Sequence, residues 1–272
     1  MNKPIWLIEA NVEGLPSEAL QSEIRRQGME VRIVKPFLHA PRPRDILGAE
    51  QLPLDALAVF TGSLTLMRYI QQNRRWRPGG WCSFNNLACS IYYAYFGSHM
   101  LNRNYTFLPI AEALRRHDRL FSTFGRQDTV FVRPDSVDKS FSGKLVDRNA
   151  FVDLLQPHAN DPTLLVMVSE PQPIRFEWRL FVQRGRVFAS SQYRLNGQTN
   201  VASDVPVTVI DFAENVLAQT TWRPDPLFVV DVCDSNDELK IVELNSFSCS
   251  GQCAIDLQKY VSVASESAMM YA

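Results

Sequence analysis

The chain lacks the features that would place it in a membrane or on a polyanion. It has no charged-then-apolar leader at Met1 and no apolar run near about 18 residues, the length at which a membrane span becomes credible. A cytoplasmic protein without membrane contact is therefore expected. Neither sign of charge dominates: 28 Lys and Arg stand against 29 Asp and Glu, a formal net charge of -1. No global field draws such a chain to nucleic acid, so no nucleic-acid partner is expected and local basic groups must carry any anion binding. The five cysteines, Cys82, Cys89, Cys233, Cys249 and Cys253, include no CxxC pair. An odd set without that spacing fits reduced, mostly buried thiols better than disulfides or zinc. The four histidines are scattered singly, whereas a histidine metal centre needs clustered donors. No GxGxxG follows the first apolar run, which argues against a dinucleotide fold of the usual fingerprint.

What is present is enough apolar residue for a full core. Of the 272 residues 46% are hydrophobic, sufficient for one large domain or two smaller ones. The first third alternates strands and helices. Pro4 to Ile8 reads as a strand, Ser17 to Gln27 as a helix behind a Ser cap and stopped by Gly28, and Val31 to Val34 as a second strand. Ala56 to Phe60 gives a third, followed by a helix around Leu66 and Ile70. This rhythm predicts a small parallel sheet covered by helices. Tyr92, Tyr93, Tyr95 and Phe96 lie close together without basic neighbours, so they read as core and not as a stacking platform. A helix containing Ile110, Leu114 and Arg115 leads to Gly125, where a domain boundary is placed.

From Thr129 the pattern changes to hairpins. Val130 to Pro134 is a strand, and Asp135 to Gly143 is a polar loop with Lys139, Ser140 and Ser142 before Lys144 re-enters a strand. Small residues flanked by lysines can wrap a triphosphate with backbone N–H groups, although an ordinary Ser/Gly turn has the same composition. Leu164 to Val168 is a strand ending at Ser169-Glu170-Pro171, and Pro171 and Pro173 make it a candidate hinge. A second hairpin, Phe176 to Val182 and Val187 to Tyr193, turns at Arg184-Gly185. Centred there, it places Arg179 opposite Ser190 and Glu177 opposite Gln192 on a polar face, with Phe176, Trp178 and Leu180 on the other. That polar face reads either as the wall of a cleft or as a structural cross-strand ladder. Asp211 to Gln219 and Ala254 to Tyr271 read as helices.

The most informative stretch is Phe228 to Asn245. Two apolar runs flank a polar turn. With Asn236-Asp237-Glu238 as the loop, Asp231 falls opposite Glu243, and Asn245 joins them two residues along. Directly opposed like charges, about 5 Å apart at Cβ, destabilise a sheet unless something neutralises them. No neutralising partner is evident in the sequence, and a divalent cation would serve. Two carboxylates and an amide oxygen suit Mg²⁺ shared with water and nucleotide phosphates, while the alternative is a solvated polar face.

In this order, VRPDSVDKSFSGK (132–144), a strand ending at a Glu, ExRxFVxxGRVxxSSQY (177–193), VxDV (229–232) and VELNSFSxSG (242–251) resemble the ATP-grasp family. The resemblance is to its bacterial and phage clade with Arg in place of the usual phosphate-strand Lys, and it covers about residues 126 to 255. It implies an α/β (α+β) chain with two antiparallel-sheet lobes clasping ATP, preceded by a small βαβ domain. Residues 1–125 would be that pre-grasp domain and 126–272 the ATP-grasp domain, its lobes dividing near residue 170. The implied activity is that of an ATP-dependent carboxylate–amine ligase working through an acyl phosphate. A kinase-like phosphotransferase or a non-catalytic nucleotide-binding protein on the same scaffold are the alternatives.

By the same resemblance ATP and Mg²⁺ are the cofactors. Arg133, Lys139 and Lys144 would hold phosphates, and Glu170 would lie in the hinge near adenine or ribose. Asp231, Glu243 and Asn245 would bind Mg²⁺. Arg179, oriented by Glu177, would steady the transferring phosphoryl group. The partners implied are a small-molecule or peptide carboxylate and an amine, and a homodimer stays open.

Overall fold

The computed structural model describes residues 3–12, 17–35, 46–73, 75–138 and 140–271. In chain order the strands and helices are β1 (Ile5–Glu9), α1 (Glu18–Arg26), β2 (Val31–Val34), β3 (Leu57–Thr61), α2 (Leu64–Gln72), β4 (Arg77–Gly79) and α3 (Cys89–Phe96). Then come β5 (Tyr105–Pro109), α4 (Ile110–Arg115), α5 (His117–Phe124), β6 (Val130–Pro134), β7 (Lys144–Val146), α6 (Arg148–Leu155) and β8 (Leu165–Ser169). The last third holds β9 (Phe176–Gln183), β10 (Arg186–Leu195), β11 (Gln198–Ala202), α7 (Val207–Ala218), β12 (Leu227–Ser235), β13 (Glu238–Ser246) and α8 (Leu257–Met269).

These strands form three sheets. The first is parallel, in the order β2-β1-β3-β4, as the βαβ rhythm predicts. Its local signals hold: the Ser17 hydroxyl accepts the Leu20 N–H at 3.2 Å, and Gly28 ends the helix region at φ 73°, a conformation that favours glycine. The second sheet, β5-β8-β6-β7, and the third, β11-β10-β9-β12-β13, are antiparallel.

Packing divides the chain differently from the sequence reading. The second sheet does not begin after Gly125: β5 pairs with β8, Tyr105 opposite Ser169. Ile110, Ala113, Leu120, Phe121 and Phe124 of α4 and α5 share one core with Val132, Phe151 and Val168. The two helices carry apolar faces that only this sheet covers, so they belong to the lobe of Arg133. The parallel sheet, in turn, is continuous with the third sheet. Leu7 and Phe60 lie in one apolar cluster with Leu180 and Phe228, and Trp6 and Val59 in another with Phe181, Phe247 and Tyr260. The Trp6 indole N–H donates to Ser265 Oγ of α8 at 3.1 Å, closing the contact. Helix α7 starts earlier than expected and α8 later, both by a few residues. Tyr92, Tyr93 and Phe96 are buried as read, while Tyr95 stacks on Trp222 with ring centroids 4.3 Å apart.

A half-buried carboxylate ties the segment after β4 to the approach of β12. The Ser83 N–H donates to Asp225 at 2.6 Å, and the Asn86 amide donates to the Pro224 carbonyl at 3.1 Å. Burial pushes the Asp225 carboxyl up to about 7, against the opposing pull of the Ser83 N–H. The folded state therefore holds its proton where the unfolded chain has lost it. Stability from this group is complete below about pH 4 and is lost as pH rises through about 7. We expect Asp225→Asn, which keeps the acceptor oxygen for Ser83, to flatten that fall. Melting temperatures of both proteins between pH 4 and 8 check it.

Candidate active site

Asp231 and Glu243 do face each other across β12 and β13. The route to that register differs from the expected three-residue loop. Ser235 pairs with Glu238, leaving a two-residue turn in which Asn236 and Asp237 have φ of 53° and 60°. Alone, that turn would set Asp231 opposite Val242. A register shift between Asp231 and Val232 restores Glu243 as its partner and leaves Asn245, opposite Val229, on the same face.

The carboxylates are neutralised from within the protein, by partners that were not evident in the sequence. Arg179 donates from Nε to Asp231 Oδ1 at 3.0 Å and from Nη2 to Oδ2 at 2.8 Å. Arg133 Nη2 reaches Glu243 Oε2 at 2.6 Å from the opposite sheet. Asn245 Nδ2 bridges the pair, 3.0 Å from Asp231 Oδ2 and 2.9 Å from Glu243 Oε1. Asp231 is completely buried, and Arg133 and Asn245 nearly so. Burial works against the Arg179 charge, but Asp231 outweighs it and raises the pKa.

The β9–β10 hairpin carries a second correction. Arg186 pairs with Gln183 as a turn at Arg184-Gly185 requires, but two register shifts follow. Arg179 therefore pairs with Ser191 and Glu177 with Arg194, not with Ser190 and Gln192. The shift between Gln192 and Arg194 leaves Tyr193 as the extra residue and turns it onto the polar face. Its hydroxyl donates to Glu177 Oε2 at 2.8 Å, and its ring lies 5.1 Å from the Arg179 guanidinium. Arg179 is thus oriented by Asp231 and Tyr193, and Glu177 by Tyr193 and by Arg194 at 3.8 Å. Burial is the main cause of a raised Glu177 pKa. Tyr193 was missed from the sequence because an unshifted register puts it opposite Phe176, on the apolar face. Phe176 and Trp178 do line the other face, stacked at 5.5 Å.

A cleft of about 630 Å³ separates the second and third sheets. Phe131, Gly143 and Lys144 line one wall, and Glu177, Arg179 and Glu243 the other. Gly143 has a steric reason: a Cβ there would stand 3.0 Å from the Phe131 ring and 3.1 Å from Arg133 Cβ. Gln172, Pro173 and Ile174 line the connecting segment. Glu170 does not line the cleft. It pairs with Arg126 and accepts from the Asn104 amide at 3.4 Å. Lys139 lies outside the described residues. Among the described residues no group of three His, Cys, Asp or Glu stands together. Asp231, Glu243 and Asn245 fit Mg²⁺ by their hard oxygen chemistry, provided phosphates and water supply the remaining ligands.

Residues 114–263 match the profile of an ATP-grasp domain family, the second family of its clade. No curated protein matches the chain. Solved structures with a similar fold include D-cycloserine synthetase DcsG, at 13% identity and a TM-score of 0.62, covering 97% of this chain and 99% of that one. The RimK domain protein ATP-grasp from Sphaerobacter thermophilus has 15% identity and a TM-score of 0.57 over 97% and 95% of the two chains. The ATP-grasp ligase PsnB complexed with minimal precursor has 12% identity and a TM-score of 0.57 over 99% and 100%.

The ion pair with Arg133 gives Glu243 a structural role. Glu243→Ala would leave Arg133 buried without its carboxylate and should cost about 3–5 kcal/mol of unfolding free energy. Glu243→Gln, which keeps an acceptor oxygen, should cost clearly less. Urea denaturation without nucleotide measures both.

Proposed function

The chain belongs to the ATP-grasp family, and on that premise we propose that it is an ATP-dependent carboxylate–amine ligase forming an amide or peptide-type bond through an acyl phosphate. The observation that carries this reading is the cleft wall of Glu243 and Arg179, backed by the buried Asp231 and Asn245 and set across from Arg133, Gly143 and Lys144. Phosphoryl transfer asks for positioning and charge neutralisation more than for a protein nucleophile, and this face supplies both.

In this reading Lys144 and Arg133 hold the phosphates, together with Lys139. Asp231, Glu243 and Asn245 hold Mg²⁺, which neutralises charge developing between the transferred phosphoryl group and ADP. Arg179 follows the negative charge as it passes to the substrate carboxylate. Its guanidinium is held edge-on by Asp231 and face-on by Tyr193, so its orientation is set before substrate arrives. Attack by the amine then expels phosphate and forms the amide, with loss of one proton from the amine. Gln172, Pro173 and Ile174 would meet the nucleoside end, where Glu170 had been expected. PsnB, named as a ligase with a precursor peptide, supports a peptide among the candidate substrates.

A screen of amino acids and short peptides with ATP and Mg²⁺, read as ADP and phosphate release, tests this. Release should depend on an amine, with a product of the summed mass of both substrates less one water. A phosphorylated product would instead identify a phosphotransferase, and no turnover with any amine would point to a binding protein.

Arg179→Lys isolates the chemical step. Lysine keeps the charge but not the fork, so kcat should fall about 100-fold while nucleotide affinity changes little. Near-normal turnover in a less stable protein would leave Arg179 only a structural role.

A further inference from the structure

A second cavity, of about 530 Å³, lies where β9 and α8 end, and among the described residues none lines both it and the cleft. Its size is that of an ordinary small-molecule site. Arg184 and Arg223 line it together with Pro224, Met270 and Tyr271, so two cations adjoin apolar surface. From Arg179 to Arg184 the chain runs about 16 Å of extended strand, which sets this cavity apart from the cleft.

Among the described residues neither arginine has a carboxylate partner. Arg184 donates to Met270 Sδ at 3.4 Å. Arg223 donates to the backbone carbonyls of Leu217 at 2.9 Å, Thr220 at 2.7 Å and Trp222 at 2.6 Å. Those carbonyls carry no net charge, and of the five guanidinium N–H groups two are left over. The nearby acids are committed elsewhere. Glu214 accepts from Arg186 and from the Val187 N–H, and Asp225 from the Ser83 N–H. Asp211, on α7, is exposed and pairs with neither arginine. Burial pushes the Asp225 carboxyl up to about 7, which leaves it a weak counter-charge.

The backbone also singles out Arg184. Three two-residue turns join strands of the third sheet, Arg184-Gly185, Asn196-Gly197 and Asn236-Asp237, and all six residues have positive φ. Asn takes the first of these positions readily, whereas a long side chain does so at a cost. Of the three turns, the one at the cavity carries a cation there. Gly185 in turn lets Arg223 come close, since a Cβ on it would stand 2.9 Å from Arg223 Nη2.

We propose that this cavity is a second binding site, for a small organic anion whose carboxylate or phosphate oxygens meet Arg184 and Arg223 and whose apolar body lies against Pro224, Met270 and Tyr271. The planar fork of arginine fits either oxygen group. The site needs neither ATP nor the ligase reading of the cleft.

Phenyl phosphate and benzoate are the probes, with inorganic phosphate as the arm that lacks an apolar body. In ¹H–¹⁵N spectra of the full chain, the better of the two probes should shift the amides of Gln183, Gly185 and Ser267, and it tells phosphate from carboxylate. It should bind about tenfold more tightly than inorganic phosphate. Arg184→Asn removes one charge and gives the turn the residue it favours, so the variant should melt no lower than wild type and bind the probe about tenfold more weakly. Shifts confined to amides around the cleft, such as Gly143 and Lys144, overturn the proposal. So does unchanged affinity in the folded variant, or inorganic phosphate binding as tightly as the probe. If the variant does not fold, the wild-type spectra decide.

Discussion

The structure depends on how two opposed carboxylates are kept on one buried sheet face. At about 5 Å and an effective dielectric near 20, two like charges repel by about 3 kcal/mol, a large share of a domain's net stability. The protein meets this with Arg179 from the neighbouring strand and Arg133 from the other sheet. The second pair has a further consequence. It spans the cleft, so the two lobes are joined by a charged contact whose partners also suit phosphate and metal. A ligand that competes for Arg133 therefore changes both the local charge and the link between the lobes.

Backbone irregularities aim the side chains of this face. In β13 a tight turn and one extra residue compensate, so that Glu243 and not Val242 meets Asp231. In β10 the shift near Tyr193 carries an aromatic ring from the apolar face to the polar one, where it supports Arg179 and Glu177 together. Bulges beside active sites commonly re-aim a side chain in this way. Gly143 serves the opposite wall by letting the polar loop pass close over Phe131 and Arg133.

The large-scale packing shows how the three sheets are joined. The parallel sheet and the third sheet share apolar clusters and the aromatic group of Phe181, Phe247 and Tyr260, so they form one body. The lobe of β5 to β8 has its own core of Phe121, Val132, Phe151 and Val168. Between them run the proline-bounded segment at Gln172 and the Arg133–Glu243 contact. Apolar contacts join the lobes as well: Met167 of β8 lies in one cluster with Trp178 and Val232, and Tyr93 packs edge-on against Tyr105 and Phe107.

Much of this was legible in the sequence. Period-two alternation and turn residues put Asp231, Glu243 and Asn245 on one face of their hairpin and Arg179 with Glu177 on the polar face of another, because side-chain direction in a strand follows from residue spacing. Ser17 and Gly28 marked a helix for equally local reasons. The sequence could not show that Arg133 and Arg179 neutralise the acids, since those pairs bring together residues 110 and 52 positions apart. Nor could it place Tyr193, because a bulge shifts every later register by one while leaving composition unchanged, or show that Glu170 turns to Arg126 and Asn104, partners distant in the chain. The lobe boundary failed for a related reason. Helices α4 and α5 look the same in sequence whichever sheet they cover, and only the available apolar surface decided that they join Val132 and Val168. Periodicity along the chain settles which way a residue points, whereas its partner across space is settled only when the lobes pack.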